Sequence, residues 1–203
     1  MLEKENIQYQ TFSELQLARI GNIFKLILEY IPNASRDNLL AILFLIQEYK
    51  IKQEFQPVVS IDFEVWEQGP VQKDLFADLS GNMWLTNRYL ERFHTSQGDR
   101  FKAREPFDET PFRYGDVEDM RLILQRIRWY SDTDFENALK GEKSLWYRTV
   151  LKHNLFNPML GRFTITTNVP VDFSLLFDNE EDKGEYAIYS QVARSEEKAG
   201  LRP

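Results

Sequence analysis

The chain has 203 residues, a formal charge of −7 and no cysteine. At 42% hydrophobic and 14% aromatic residues it can bury the core of one compact domain. The missing cysteines exclude disulfides, thiol nucleophiles and Cys-based zinc sites. The acidic balance argues against a general nucleic-acid binder, whose affinity rests on Lys and Arg neutralising phosphates.

Taken in chain order, MLEKENIQYQ has no apolar core, so no signal peptide is expected. Residues 12–31 then carry Ile20, Ile23, Phe24, Ile27, Leu28 and Ile31 at spacings of 3 and 4, which predicts an amphipathic helix stopped by Pro32-Asn33. Ser35 can cap a second helix through about Ile51. Leu39, Leu40, Ile42, Leu43, Phe44, Leu45 and Ile46 make that helix apolar nearly all round, which predicts a central, buried position. It is too short an apolar run, and too interrupted, to span a bilayer, so a cytoplasmic protein with no membrane partner is expected.

Val59, Ile61, Phe63 and Val65 alternate with Ser60, Asp62, Glu64 and Trp66, the pattern of a half-buried strand. Gly69-Pro70 turns the chain, with Pro70 expected at the first turn of a third helix that runs on to Ser80-Gly81-Asn82. The segment LERFHTSQGDRFKA allows a hairpin turning at Gln97-Gly98. Asp116 reads as the cap of a helix with the stripe Val117, Met120, Leu124 or Ile123, Ile127 and Tyr130. Ser131-Asp132 restarts the chain into a short helix ended by Gly141, and SLWYRTVLKHNLF reads as helical. After Asp178, EYAIYSQVARSEEKAG fits a helix, a tail or a partner-docking element. The expected fold is mainly α: a single helical domain with a small β element, strand or hairpin, between the second and third helices. Residues 1–156 form that domain and residues 157–203 a partly ordered C-terminal extension.

The chemistry-bearing residues are sparse. There are two histidines, His94 and His153, on different elements, with no HExxH spacing, and no GxSxG, GxxxxGK[ST] or GxGxxG occurs. Asp62, Glu64 and Glu67 form a carboxylate set that suits a divalent ion or paired acid and base roles, the basis of a metal-dependent hydrolase reading. Alternating acids opposite an apolar face are equally what a solvated sheet face looks like. Arg121, Arg126, Arg128 and Arg148 are a basic concentration suited to a nucleic-acid-binding regulator, or simply a solvated helix face.

Read together, NLLAILFLIQEYKIKQEF and SIDFEVWEQGPVQKDLFADLS resemble the Panacea (SocA-like) antitoxin domain family. The likeness lies in the hydrophobic helix with Leu40, Leu43, Phe44 and Tyr49, followed by the Trp-x-x-Gly-Pro-Val corner of Trp66, Gly69, Pro70 and Val71. ALKGEKSLWYRTV, with Leu139, Ser144 and Trp146, is similar to that family's closing segment, except that Gly141-Glu142-Lys143 stands where a His is frequent. The resemblance covers about residues 18–155. It implies a phage-associated-protein-like module that neutralises a cognate toxin, encoded beside it, by stoichiometric binding. An adaptor role toward a protease is a second implication. Partner contact is then expected at Trp66, Gly69, Pro70, Val71, Asp74 and Trp146. No catalytic residue, metal or cofactor is expected, and nucleic acid is not an expected partner.

Overall fold

The computed structural model describes residues 12–157, 162–163 and 166–200. Helix α1 spans Glu14–Tyr30 and opens with a capping box, in which the Gln16 amide donates to Ser13 Oγ and the Ser13 amide to Gln16 Oε1. Helix α2 spans Arg36–Glu54 and is capped by Ser35 as expected. It ends where Phe55 takes a left-handed conformation, φ 59°. Leu39, Ile42, Leu43, Phe44 and Ile46 of α2 are wholly buried. The all-round apolar pattern thus corresponds to a helix enclosed by its neighbours.

Helix α3 (Lys73–Ser80), α4 (Asp116–Ile127), α5 (Asp132–Lys140) and α6 (Leu145–Lys152) follow. Helices α3, α4 and α5 all pack on α2, and α6 packs on α5. One buried cation locks α2 to α4. Lys50 is fully buried and its ammonium lies 2.7 Å from Glu54, 2.7 Å from Asp119 and 3.2 Å from Asp116. Burial alone would push this ammonium pKa down, but the hydrogen bonds to Asp119 and Glu54 and the charge of Asp116 hold it above its usual range. Asp116 is the first residue of α4 rather than its cap. Gly115 takes the cap position at φ 87°, and the Asp116 carboxylate instead accepts from the Arg113 amide at 3.0 Å.

The mainly-α expectation with one small β element is corrected to a mixed α/β fold. Seven short strands occur among the described residues, in three antiparallel sheets. Strand β1 (Glu64–Trp66) lies between β2 (Gly69–Val71) and β7 (Thr166–Pro170). Strands β3 (Leu90–Thr95) and β4 (Gly98–Ala103) form a hairpin after α3, and β5 (Phe156–Asn157) pairs with β6 (Arg162–Phe163). Strands of two to six residues contain too few alternations to stand out against long helical stripes. The pairing of β1 with β7 is set by contacts a hundred residues apart, which no local pattern encodes.

The β3–β4 turn differs from expectation by one residue. Thr95 pairs with Gly98 across Ser96-Gln97, and Gly98 supplies the positive φ of 96°. Upstream of β1, residues 58–61 do not join the ladder. The backbone of Val58 and Val59 is met by the buried Gln47, whose Oε1 accepts from the two amides at 2.9 and 3.3 Å and whose Nε2 donates to the Val59 carbonyl.

Residues beyond 156 contribute to the same interior. The Val171 amide donates to the Phe63 carbonyl at 2.7 Å, and Phe173 and Phe177 of the short 3-10 segment and its exit lie in the core with Phe44 and Phe63. Helix α7 (Glu180–Lys198) is anchored through Glu197. One Glu197 oxygen lies 2.5 Å from Arg19 of α1, and the other accepts from the Ser60 amide at 2.9 Å. Among the described residues no helix is long and apolar enough to cross a membrane.

Candidate protein-docking groove

The Trp66–Val71 stretch is a tight antiparallel hairpin rather than a strand-to-helix corner. Trp66 pairs with Gly69, Val65 with Pro70 and Glu64 with Val71, leaving Glu67 and Gln68 as the loop. Gly69 sits at φ 131°, which side-chain-bearing residues rarely adopt. The space is not what demands glycine: a Cβ there would meet Lys140 Cγ only at 3.8 Å. Pro70 therefore lies in β2, not in the first turn of α3, which starts at Lys73 behind a Gln72 cap. In a two-residue hairpin the pair next to the loop is the hydrogen-bonded one, so Val65 and Pro70 form a pair that needs no ladder bond. Strand β2 is also an edge, where a missing N–H leaves no gap in the sheet.

Trp66 is half-buried. Its ring lies 5.3 Å from that of Phe76 on α3, and its Nε1 donates to Glu64 at 3.0 Å. Trp146 is the enclosed tryptophan, with 1% of its surface exposed. Its Nε1 donates to the Trp66 carbonyl at 3.0 Å, which fixes α6 to the hairpin. Asp74 is buried in the first turn of α3, and its Oδ2 has no hydrogen-bond partner. The structure thus gathers Trp66, Gly69, Pro70, Val71 and Trp146 around one hairpin, with most of their surface turned inward. Trp146 and Asp74 act on any partner only by shaping what lies above them.

Pro70 and Val71 do reach a concavity. They floor a groove of about 350 Å³ between the N-terminal half of α2, β2, α3 and α5. Leu40, Ala41, Phe76, Phe135 and Leu139 complete an apolar lining, and Asp37, Asp132, Glu136 and Lys140 stand at its rim. Each wall is held in place locally. The Ser131–Asp134 capping box starts α5, so that Phe135 and Leu139, one turn apart, face β2. The Arg36 guanidinium lies 3.9 Å from the Phe76 ring centre, donates to Ser80 Oγ at 2.8 Å and pairs with Asp37. Lys140 pairs with Glu136 at 3.0 Å. Such a lining removes apolar surface from water when an apolar side chain enters, and its rim can hydrogen-bond the flanking backbone.

The groove's floor was legible in the Gly-Pro-Val motif, but its α5 wall was not. Phe135 gave only a weak signal, an aromatic residue on a short, well-capped helix.

The other candidate constellations disperse. Asp62 is bound to Arg194 at 2.5 Å, Glu64 to Lys73 at 3.0 Å, and Glu67 is exposed in the hairpin loop. The hydrogen bond to Glu64 in turn raises the Lys73 ammonium pKa. Among the described residues no group of three or more His, Asp or Glu side chains is arranged to hold a metal ion. His94 and His153 are both exposed. The arginines are split: Arg121 lies over Phe107, Arg128 over Trp129, and Arg148 on α6 faces Asp178 at 3.9 Å. Searches with this chain found no matching family model, curated protein or solved structure, so the likeness to the Panacea family rests on the quoted residues.

Proposed function

We propose that this chain is an antitoxin-like protein-binding module that neutralises a cognate toxin by direct, stoichiometric binding in the cytoplasm. The observation that supports this reading is the apolar groove floored by Pro70 and Val71 and walled by Phe135 and Leu139. The motif that carries the family resemblance contributes to a concavity whose lining is predominantly apolar, and apolar pockets that accept a partner's side chain are where interface energy concentrates. Turnover chemistry on the carboxylate set gains no comparable support, because Asp62 and Glu64 are each engaged by a cation and Glu67 lies exposed in a loop. An adaptor role that presents the bound toxin to a protease is compatible with the same binding step.

The test is co-expression with the products of the adjacent genes, followed by pull-down and by a growth assay for rescue of toxicity. A one-to-one complex with a protein that is toxic alone is expected. Phe135→Asp should abolish both complex and rescue while leaving the circular dichroism spectrum unchanged. Complex formation that is indifferent to Phe135→Asp would remove the groove from the proposal, and no complex with any adjacent product would remove the proposal itself.

A further inference from the structure

Helix α7 presents a second surface that the groove does not use. Its inner side is committed: Ala193 and Glu197 are buried, and Tyr186 packs on Phe177 at 5.8 Å. Its outer side carries Ile188, Tyr189 and Val192, which are 64%, 42% and 47% exposed. Single exposed apolar residues are ordinary, but these three adjoin on two turns of one helix.

Ile188 and Val192 also fall in a charged row. Glu181, Glu185, Ile188, Val192 and Glu196 follow at helical spacing along one side and are all exposed. Among the described residues, Glu181, Glu185 and Glu196 make no ion pair; the α7 acids that do are Glu180, with Lys183, and Glu197, with Arg19. None of the helix's own cations pairs with this row: Arg194 is held by Asp62, Lys183 by Glu180, and Lys198 lines a cleft with residues of α1. The row is therefore an apolar centre bracketed by uncompensated negative charge, on a helix fixed from behind.

We propose that this face of α7 docks a basic amphipathic helix of a partner protein, whose central apolar residues cover Ile188 and Val192 and whose flanking Lys or Arg residues meet the three glutamates. A second copy of this chain fits less well. Antiparallel pairing centred on Ile188 and Val192 sets Glu181 against Ala199 and Glu185 against Ser195, and supplies no cation. Parallel pairing sets each glutamate against itself. A basic helix compensates all three charges and removes the same apolar surface from water.

The probes are two synthetic helices of equal length, measured by fluorescence anisotropy against the full chain. One carries leucines at two central positions and lysines in the flanking turns; the other has glutamates in place of the lysines. The lysine peptide alone should bind, more weakly as salt rises, and Ile188→Ser with Val192→Ser should lower its affinity by at least about tenfold. Glu181→Lys, Glu185→Lys and Glu196→Lys together should reverse the preference toward the glutamate peptide. These positions are exposed, so the fold should persist, and circular dichroism checks it. Equal binding of both peptides, binding of neither, or indifference to the substitutions would overturn the inference. So would a concentration-dependent dimer that Ile188→Ser abolishes, because a second copy would then own the face. Phe135→Asp should leave peptide binding intact; if it removed binding, the peptide would be occupying the groove and the α7 proposal would fall.

Discussion

Replacing Glu197 by Ala tests whether α7 is welded to the domain or merely laid upon it. Glu197 and Arg19 are both more than nine-tenths buried, and their contact of 2.5 Å is the main charge compensation for either. The other Glu197 oxygen accepts from the Ser60 amide at 2.9 Å, and Arg19 Nε donates to the Pro111 carbonyl at 2.8 Å. Truncation to Ala leaves a buried guanidinium without its carboxylate and an amide without an acceptor. Breaking one side of a buried pair costs about 3–5 kcal/mol, and an orphaned buried amide about 1–3 kcal/mol. These overlap, because water entering the vacated space relieves both, so about 4 kcal/mol is expected for Glu197→Ala. Glu197→Gln keeps an acceptor for Ser60 and should cost less, about 2 kcal/mol. Replacing Arg19 and Glu197 together by Leu and Met should cost less than the sum of the single changes, because no charge is stranded. Urea denaturation followed by circular dichroism measures the wild type, Glu197→Ala, Glu197→Gln, the singles Arg19→Leu and Glu197→Met, and their double variant. A loss under about 1 kcal/mol for Glu197→Ala, or strict additivity in the double variant, would refute the reasoning.

Glu48 gives a pH prediction: burial pushes its carboxyl up to about 7, against the lowering influence of Lys52 and Arg148, and its Oε2 has no hydrogen-bond partner. A folded pKa above the unfolded value of 4.5 means that this group's contribution is fully present below pH 4.5 and is lost as pH rises through about 7. Glu48→Gln should therefore flatten the fall in stability over that window and gain about 2–3 kcal/mol at alkaline pH, read from denaturation midpoints across pH; an unchanged pH profile would contradict it. The two tryptophans should separate. Trp146→Ala should cost about 4 kcal/mol, as for a fully buried aromatic, whereas the half-buried Trp66→Ala should cost about 1–2 kcal/mol, and equal losses in the same assay would contradict their placement. Gly69→Ala should cost about 1–2 kcal/mol from backbone strain alone, since its methyl meets only ordinary contacts, and a stabilised variant would show that the hairpin readily adopts another turn.

The helices were legible because their signals lie within four residues of each other. Ser35 and Ser131 cap where their hydroxyls reach an amide three residues on, and the apolar rows of α1, α2 and α4 read directly as buried faces. The β3–β4 hairpin was visible for the same reason, since its turn glycine adjoins the strands it joins. Tyr130 marks where such reading fails: it continues the α4 stripe in sequence, yet α4 ends at Ile127 and the ring is exposed.

The candidate site was half legible. The Trp-x-x-Gly-Pro-Val motif located the hairpin but misplaced Pro70, because a proline after glycine suits a helix start and an edge strand equally well. Which tryptophan is enclosed, which strand lies beside β1 and which helix walls the groove depend on contacts between segments far apart in the chain. Neighbouring residues alone set where hydrogen bonds close locally and mark α2 as the central helix. The β1–β7 pairing, the Arg19–Glu197 tie and the apposition of Phe135 with Pro70 arise only in the folded chain, because each is a choice among distant partners that packing makes and local propensity does not.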